Sequence, residues 1–221
     1  WNVLAIDLPG HCKSGGQAPK SVEEAATFIG QLMDAAGLQQ AALIGHSWGS
    51  LIAMEAAARL KERISHLVLV GTAAPMKVSP ALLDLALSAP EKAIAMVQTF
   101  SRATLAPPGG AGSWVFGAGT ALGRRVLASN AATNLLHTGF VACDSYAGGE
   151  AAMAVLACPV LFVLGEQDQM TPPRAARGLI DAAKAAGRQP RVQMIPHGHN
   201  QMSESPDETL FAIRDFLQQG R

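Results

Sequence analysis

The pentapeptide Gly45-His46-Ser47-Trp48-Gly49 decides the fold, because of the segments on either side of it. The apolar run Ala41–Ile44 before it predicts a buried strand, and the run Leu51–Ala58 after it predicts a helix. Strand, sharp turn and helix in this order form a nucleophile elbow, which holds a serine in a strained backbone conformation with its oxygen exposed. We expect the two glycines to prevent Cβ collisions where strand and helix meet. The stretch therefore predicts a catalytic nucleophile at Ser47.

Four segments in matching order resemble the α/β-hydrolase superfamily, and together they span nearly the whole chain. The order Ser, Asp, His along the sequence is also the order used in this fold. The resemblance implies an α/β fold with a doubly wound, mostly parallel sheet and an inserted helical cap. Besides the elbow, the segments are Val3–His11, similar to the family's fourth strand and its loop, and Val160–Asp168, similar to the strand that delivers the acid. The last is Gly198-His199 with Glu204, Pro206 and a helix over Glu208–Leu217, similar to the histidine loop and closing helix.

Elsewhere in the chain, apolar runs of strand length alternate with segments of helical composition. Such alternation favours a parallel sheet with right-handed crossovers. We predict strands over Ala41–Ile44, His66–Val70, Val160–Leu164 and Val192–Ile195. We predict helices over Val22–Ala36, Ser50–Leu60, Pro173–Ala186 and Asp207–Gln219.

The alternation stops between Thr72 and Pro159, a segment that resembles the helical cap of the family. The predicted domains are therefore a core of residues 1–71 and 159–221 and a cap of residues 72–158. A cap in this position would lie over the carboxyl ends of the strands, where α/β folds bind their ligands. Its predicted helical runs are Pro80–Leu87, Glu91–Ala103 and Gly119–Leu136, with a break at Pro107–Gly110.

The resemblance assigns the nucleophile and the base. Ser47 is the nucleophile, and a serine hydroxyl needs a base within hydrogen-bond reach. His199 follows a glycine as in the family's motif and is the predicted base, with His197 two positions away as the alternative. The other histidines are expected to be structural, namely His11, His46, His66 and His137, and His46 is expected to point away from the serine.

The resemblance also assigns the acid and one oxyanion donor. Asp168 is the predicted acid, which accepts the Nδ1 hydrogen bond of the histidine and stabilises the imidazolium. Some family members place the acid after the preceding strand, but Gly71–Ala74 contains no carboxylate, and Glu166 is a weaker alternative. The backbone N–H of Trp48, which follows the nucleophile, is the predicted oxyanion donor.

One glycine-rich segment superficially resembles a cofactor site. The residues Gly117-Ala118-Gly119-Thr120-Ala121-Leu122-Gly123 have the glycine spacing of a dinucleotide-binding loop. Such a loop follows a central strand that aims its helix at the pyrophosphate, and the Pro/Gly-rich residues 107–112 cannot form that strand. We predict a flexible cap loop here, and neither a cofactor nor a metal for the catalytic chemistry.

The composition limits which partners and which cellular compartment are expected. Of 221 residues 15% are charged, with 17 basic and 17 acidic side chains, so the formal net charge is zero. This balance predicts no nucleic-acid partner and no anionic membrane surface, and no stretch is long and apolar enough to span a bilayer. Three cysteines without metal-binding spacing predict a reduced, cytoplasmic protein. The sequence gives no indication of the oligomeric state.

The chain opens at Trp1-Asn2 directly into its first predicted strand. In the family, the strand that comes before this one lies in the middle of the sheet, and its loop supplies a second oxyanion donor. We therefore expect about 40–70 further residues before Trp1 in the natural protein, from the ordinary spacing of strands and helices. Any targeting signal would lie in that part.

Together, these residues predict a cofactor-independent serine hydrolase that forms an acyl-enzyme with a small apolar ester or lactone. Three alternatives stay open. A carbon–carbon bond hydrolase or a proline-selective aminopeptidase would use the same three residues, and a non-catalytic relative would bind a ligand in the cleft. Because serine rather than aspartate stands at the elbow, the alkyl-enzyme chemistry of dehalogenases and epoxide hydrolases is not expected. Fold alone does not identify the substrate.

Overall fold

The computed structural model describes residues 1–103 and 111–219, and for residues 111–115 the backbone only. The predicted break at Pro107–Gly110 lies outside the described residues. Within them, four parallel strands form one sheet in the order β1-β2-β3-β4. The strands are β1 (Ala41–His46), β2 (Ile64–Val70), β3 (Val160–Gly165) and β4 (Arg191–Ile195). The helices are α1 (Val22–Ala35), α2 (Trp48–Leu60), α3 (Pro80–Ser88), α4 (Pro90–Phe100), α5 (Ala111–Ala128), α6 (Leu135–Ser145), α7 (Gly149–Ala154), α8 (Arg177–Ala185), α9 (Gln201–Glu204) and α10 (Pro206–Gln218).

Both faces of the sheet are covered by helices, as the alternating pattern predicts. On one face, Leu67 and Leu69 of β2 join a core cluster with buried residues of α1, α2, α7 and α8. On the other face, Val68 and Val70 pack against Phe216 of α10. Because side chains alternate between the two faces of a strand, the uninterrupted apolar runs supply both cores at once. The predicted doubly wound α/β fold is confirmed.

The first predicted strand is not present. Residues 1–8 have no regular secondary structure, and Val3 and Leu4 are 87% and 61% exposed. A strand requires a hydrogen-bonded neighbour, and in the described part of the chain no strand pairs with this segment. The strand that the family resemblance implied here is therefore wrong, and β1 lies at the edge of the described sheet.

The helical insertion between β2 and β3 consists of α3 to α7 in the described residues. The single helical run expected over Gly119–Leu136 is wrong, because α5 ends at Ala128 and α6 begins at Leu135. The side chain of Asn130 accepts hydrogen bonds from the N–H groups of Ala132 and Thr133, which turns the chain. Asn134 then caps α6 by accepting from the N–H of His137 at 3.0 Å.

The glycine-rich segment 117–123 is helical rather than a flexible loop, so that prediction is also wrong. It forms the middle of α5, and two of its glycines face α4. A Cβ on Gly119 would collide with Gln98, and a Cβ on Gly123 would lie 3.0 Å from Ile94 Cγ2. These two glycines therefore leave room for the side chains of Gln98 and Ile94 on α4.

Not every helix of the insertion stands apart from the core. Ala152 and Met153 of α7 are buried in the same cluster as Leu51 of α2 and Leu179 of α8. Helices α3 and α4 instead form a smaller cluster of their own around Leu82, with α6 packed against it. In the described ranges, no helix combines the length and the apolar character needed to cross a membrane.

Candidate active site

The elbow has the backbone conformation that its sequence predicts. Ser47 follows β1, precedes α2 and adopts φ 52 and ψ −123, a region that residues other than glycine rarely occupy. Its N–H donates to the carbonyl of Val70 in the neighbouring strand at 3.0 Å, and its own carbonyl accepts from Ser50 Oγ at 2.5 Å. Because hydrogen bonds on both sides fix the strained residue, the serine is held at the carboxyl end of the sheet.

The two glycines of the elbow are not equivalent. A Cβ on Gly45 would collide with the backbone of Gly49 and would lie 2.7 Å from the N of Ser50. A Cβ on Gly49 would meet nothing within 4 Å. The expectation of two collisions is thus right for Gly45 and wrong for Gly49.

Asp168 lies on the loop after β3, and its side chain is saturated with hydrogen bonds. Its Oδ1 accepts from the N–H groups of Met170 and Thr171, both at 2.8 Å. Its Oδ2 accepts from Thr171 Oγ1 and from His199 Nδ1, also at 2.8 Å. Burial by itself raises the pKa of Asp168, but the bonds from His199 and Thr171 outweigh it, so the pKa lies below its ordinary value. The carboxylate is therefore ionised at neutral pH.

His199 lies on the loop after β4, and its side chain is buried against Asp168. Because Nδ1 faces Asp168, Nε2 is the ring nitrogen that does not contact this carboxylate. In the part of the chain that the structure describes, Ser47 Oγ and His199 share no hydrogen bond. Such bonds are often long in unliganded enzymes and tighten when substrate is bound.

The alternative base and the alternative acid are placed elsewhere. His197 directs Nδ1 to the hydroxyl of Ser205. Glu166 is exposed, while its N–H donates to the carbonyl of Ile195 at 2.8 Å. The contact between a carboxylate and a histidine in this loop pair is thus made by Asp168 and His199.

His46 was expected to be structural and to point away from the serine, and the structure places its ring against His199. Its ring lies 4.6 Å from the ring of His199, centroid to centroid, and its Nε2 donates to the carbonyl of His199 at 2.9 Å. Burial and the neighbouring His199 lower the pKa of His46 to about 3. The ring is therefore neutral at physiological pH.

This histidine makes stability depend on pH. The unfolded chain protonates His46 below its ordinary pKa of 6.5, whereas the folded chain does so only near 3. Stability conferred by the neutral ring is therefore lost as pH falls from 6.5. Between pH 6.5 and 4.5 we expect this residue to account for roughly 1–2 kcal/mol of the free energy of unfolding.

Urea denaturation of the wild type and of His46→Gln at the two pH values measures this effect. The wild type should lose more stability on acidification than His46→Gln, because glutamine does not titrate. His137→Gln is the matched control, and it should lose as much stability as the wild type between the two pH values. An equal loss in the wild type and His46→Gln would contradict the prediction.

A cavity of about 460 Å³ lies between Ser47 and Trp48 of the elbow and the helical insertion. Ser47, Trp48 and Thr171 line it from the core. Its other walls are mainly apolar side chains of the insertion, among them Leu82 of α3, Met96, Val97 and Phe100 of α4, and Leu135, Leu136 and Phe140 of α6. A largely apolar enclosure with a few polar groups at one end is typical of a small-molecule site.

Two buried thiols, one of which lines the cavity, are unreactive at neutral pH. Burial raises the pKa of Cys143, which lines the cavity, to about 12 and that of Cys158 to about 11. Both are free and protonated at neutral pH, and a thiol is reactive as the thiolate. In residues 1–103 and 111–219, no group of three or more His, Cys, Asp or Glu side chains is arranged to hold a metal ion.

Three residues that support this site were not predicted to do so from the sequence. Thr171 bonds both Asp168 and His199, at 2.8 and 3.0 Å, and its spacing of three from the aspartate is a local signal. The side chain of Gln201, with its amide nitrogen facing His199, donates to the carbonyl of His199 and accepts from the N–H of Gly165. His46 reaches the same carbonyl from the elbow. The contact of Gln201 with Gly165 and that of His46 with His199 join separate parts of the chain and leave no sequence pattern.

Comparison with known protein families places these features in context. The sequence profile of the alpha/beta hydrolase fold family matches residues 1–133. The acetyltransferase component of an acetoin-cleaving system from Cupriavidus necator is 34% identical over 71 residues, 32% of this chain and 19% of that protein. A candidate carbamate hydrolase from Azorhizobium caulinodans is 36% identical over 69 residues, 31% of this chain and 26% of that protein. The matches span about a quarter or less of these relatives.

Solved structures resemble the chain over almost all of its length. A thermophilic esterase is 25% identical with a TM-score of 0.77, covering 96% of this chain and 79% of that one. An esterase from Exiguobacterium antarcticum is 17% identical with a TM-score of 0.81, covering 96% and 80%. The enol-lactonase of Burkholderia xenovorans is 21% identical with a TM-score of 0.74, covering 96% and 79%. At identities this low, the last two show a shared fold.

Proposed function

This chain belongs to the alpha/beta hydrolase fold family, and we propose that it is a serine hydrolase of small apolar esters or lactones. The observation that carries the proposal is the buried Asp168–His199 pair, which lies with the strained Ser47 at the carboxyl ends of strands of one parallel sheet, namely β3, β4 and β1. The similarity to a thermophilic esterase supports the same reaction class. A cytoplasmic location stays a prediction from the sequence.

The proposed reaction proceeds through an acyl-enzyme. Ser47 Oγ attacks the ester carbonyl as His199 Nε2 takes its proton, and Asp168 stabilises the resulting imidazolium. The oxyanion of the tetrahedral intermediate accepts from the N–H of Trp48, which is the first residue of α2 and lies at its positive end. Collapse breaks the ester bond, and the alcohol leaves with the proton of His199. Water then hydrolyses the acyl group by the same steps in reverse.

We further propose that the insertion within residues 72–158 acts as a cap. Helices α3, α4 and α6 supply most of the apolar wall of the cavity, and the core supplies the reacting groups. An uncharged acyl or alkoxy group would thus be buried by the insertion while its carbonyl reaches Ser47. No cofactor or metal is part of the proposed reaction.

A fluorophosphonate probe tests the proposed nucleophile directly, because it reacts covalently with activated serines. We expect a single modification that mass spectrometry maps to Ser47, and none after replacement of His199 by alanine. A folded chain that the probe does not label would end the proposal and favour a ligand-binding role for the cleft. A proline amide hydrolysed faster than any ester would favour the aminopeptidase alternative.

Acyl-chain length should affect turnover through the apolar wall. Each methylene moved from water into an apolar site contributes about 0.8 kcal/mol, so p-nitrophenyl butyrate should exceed the acetate in kcat/KM by about tenfold. Steady-state kinetics over acetate, propionate and butyrate measure the trend. An acetate that is hydrolysed as well as the butyrate would show that the cavity lined by Leu82, Phe100 and Phe140 does not receive the acyl group.

A further inference from the structure

The loop that carries His199 is held by the helical insertion. The carbonyl of Ser101, directly after α4, accepts hydrogen bonds from the N–H groups of His199 at 2.9 Å and Asn200 at 3.0 Å. Ser101 is buried, at 2% exposure. The backbone of the proposed base is therefore fixed from a part of the chain that is inserted between β2 and β3.

Glu204 ties the same two segments together from the other side. It ends the short helix α9, and its Oε2 accepts from the N–H of Ala103 at 2.9 Å. Burial lowers the pKa of the Arg102 guanidinium, and the negative charge of Glu204 opposes that change, so the two charges stabilise each other. The carboxylate thus anchors residues 101–103 to the histidine loop.

The contact between the two segments is too close for an additional side chain. A Cβ on Gly198 would lie 2.6 Å from the N of Ala103 and 2.8 Å from the carbonyl carbon of Arg102. Glycine immediately before His199 therefore allows backbone to pack on backbone. The fit depends on the position of residues 101–103, because any shift of these residues moves the carbonyl that holds His199.

Helix α4 connects this junction with the cavity. Its residues Met96, Val97 and Phe100 line the cavity, and the next residue, Ser101, bonds the histidine loop. Glu204 itself does not line the cavity. Removal of the Glu204 carboxylate should therefore affect the placement of His199 more than the binding of an apolar group.

We propose, as an extension of the proposed function, that Glu204 is a positioning residue for His199 that acts through Ala103 and Ser101. Removing the carboxylate frees the N–H of Ala103 and loosens the two bonds that Ser101 accepts. A base displaced by a fraction of an ångström transfers protons poorly, and displacements of about 1 Å can cost roughly 100-fold in rate. Glutamine retains an oxygen that can accept from Ala103, so it should restore most of the function.

Glu204→Ala, Glu204→Gln and the control Glu208→Ala test this role in two ways. Hydrogen exchange monitored by mass spectrometry on peptides that cover His199 and Asn200 needs no activity. Exchange there should be at least tenfold faster in Glu204→Ala and near the wild-type rate in Glu204→Gln and Glu208→Ala. Hydrolysis of p-nitrophenyl butyrate should show kcat about tenfold lower in Glu204→Ala, with KM changed less than twofold. Both measurements are made well below the unfolding temperature of each variant.

Each outcome decides the proposal. Unchanged exchange at His199 and Asn200 in Glu204→Ala would overturn it, as would glutamine failing to restore kcat. A rise in KM with kcat unchanged would indicate a binding role and would also overturn it. If the wild type shows no Ser47-dependent turnover, the proposed function itself fails, and with it the role of Glu204 in positioning a catalytic base. Exchange would then still report whether this residue holds the loop.

Discussion

Replacing Ser47 by alanine should remove almost all ester hydrolysis, with kcat falling by roughly 10⁴–10⁶-fold. The hydroxyl is the atom that forms the acyl-enzyme, so no neighbouring group can take its place. The backbone strain at φ 52 remains in the variant, since alanine pays the same conformational cost as serine. Steady-state hydrolysis of p-nitrophenyl butyrate measures the effect. Far-ultraviolet circular dichroism and thermal unfolding should match the wild type.

Ser88→Ala is the matched control for this variant. Ser88 is exposed at the end of α3, and its hydroxyl donates only to the carbonyl of Asp84 at 2.8 Å. We expect its kcat to be within twofold of the wild type. Retention of more than about 1% of turnover by highly purified Ser47→Ala, against the expected loss, would place the nucleophile elsewhere.

Asp168→Asn should lower kcat by about 10⁴-fold, because an amide in this position stabilises the wrong tautomer of the base and no longer balances its positive charge. The comparison with Glu166→Gln makes the test specific. Both variants neutralise one carboxylate in the same loop, but Glu166 is exposed and Asp168 is buried against His199. Turnover of Glu166→Gln should stay within about twofold of the wild type, as is usual for an exposed site.

The variants Asp168→Asn and Glu166→Gln should also differ in stability. The pKa of Asp168 is lowered from 3.8 on folding, so its charged form stabilises the fold above that pH and the contribution is lost as pH falls. At pH 7, Asp168→Asn should therefore unfold at lower denaturant concentration than Glu166→Gln. If Glu166→Gln instead shows the larger loss of turnover, the acid has been assigned to the wrong residue.

The sheet could be predicted from sequence because its two central strands, β2 and β3, are largely buried on both faces. Runs such as His66–Val70 and Val160–Leu164 are apolar at every position or nearly so, and flanking helices separate them clearly. The strand predicted within residues 1–8 was wrong for a different reason. A run such as Val3–Leu8 has strand composition, but composition does not specify a hydrogen-bonded partner.

The site was predictable to the extent that its parts are local. Ser47, Asp168 and His199 each stand in a short motif after a strand, and the resemblance to a family supplied their order. Their catalytic roles stay predictions, although the structure joins Asp168 to His199. The contacts of His46 and Glu204 could not be predicted in this way, although both residues stand in the quoted motifs. Their contacts with the histidine loop and the insertion are side chain to backbone, which constrains the position of a carbonyl or an N–H rather than the identity of a residue.

The long separation between the parts of the site has a consequence for folding kinetics. His46 meets the carbonyl of a residue 153 positions later, and the base is fixed further by residues after α4. Contacts so distant in sequence form late, because a large loop must close before any of them is gained. Helices and the β1–β2 pair can assemble while His199 is still unplaced. Recovery of hydrolysis during refolding should therefore lag behind recovery of helical circular dichroism.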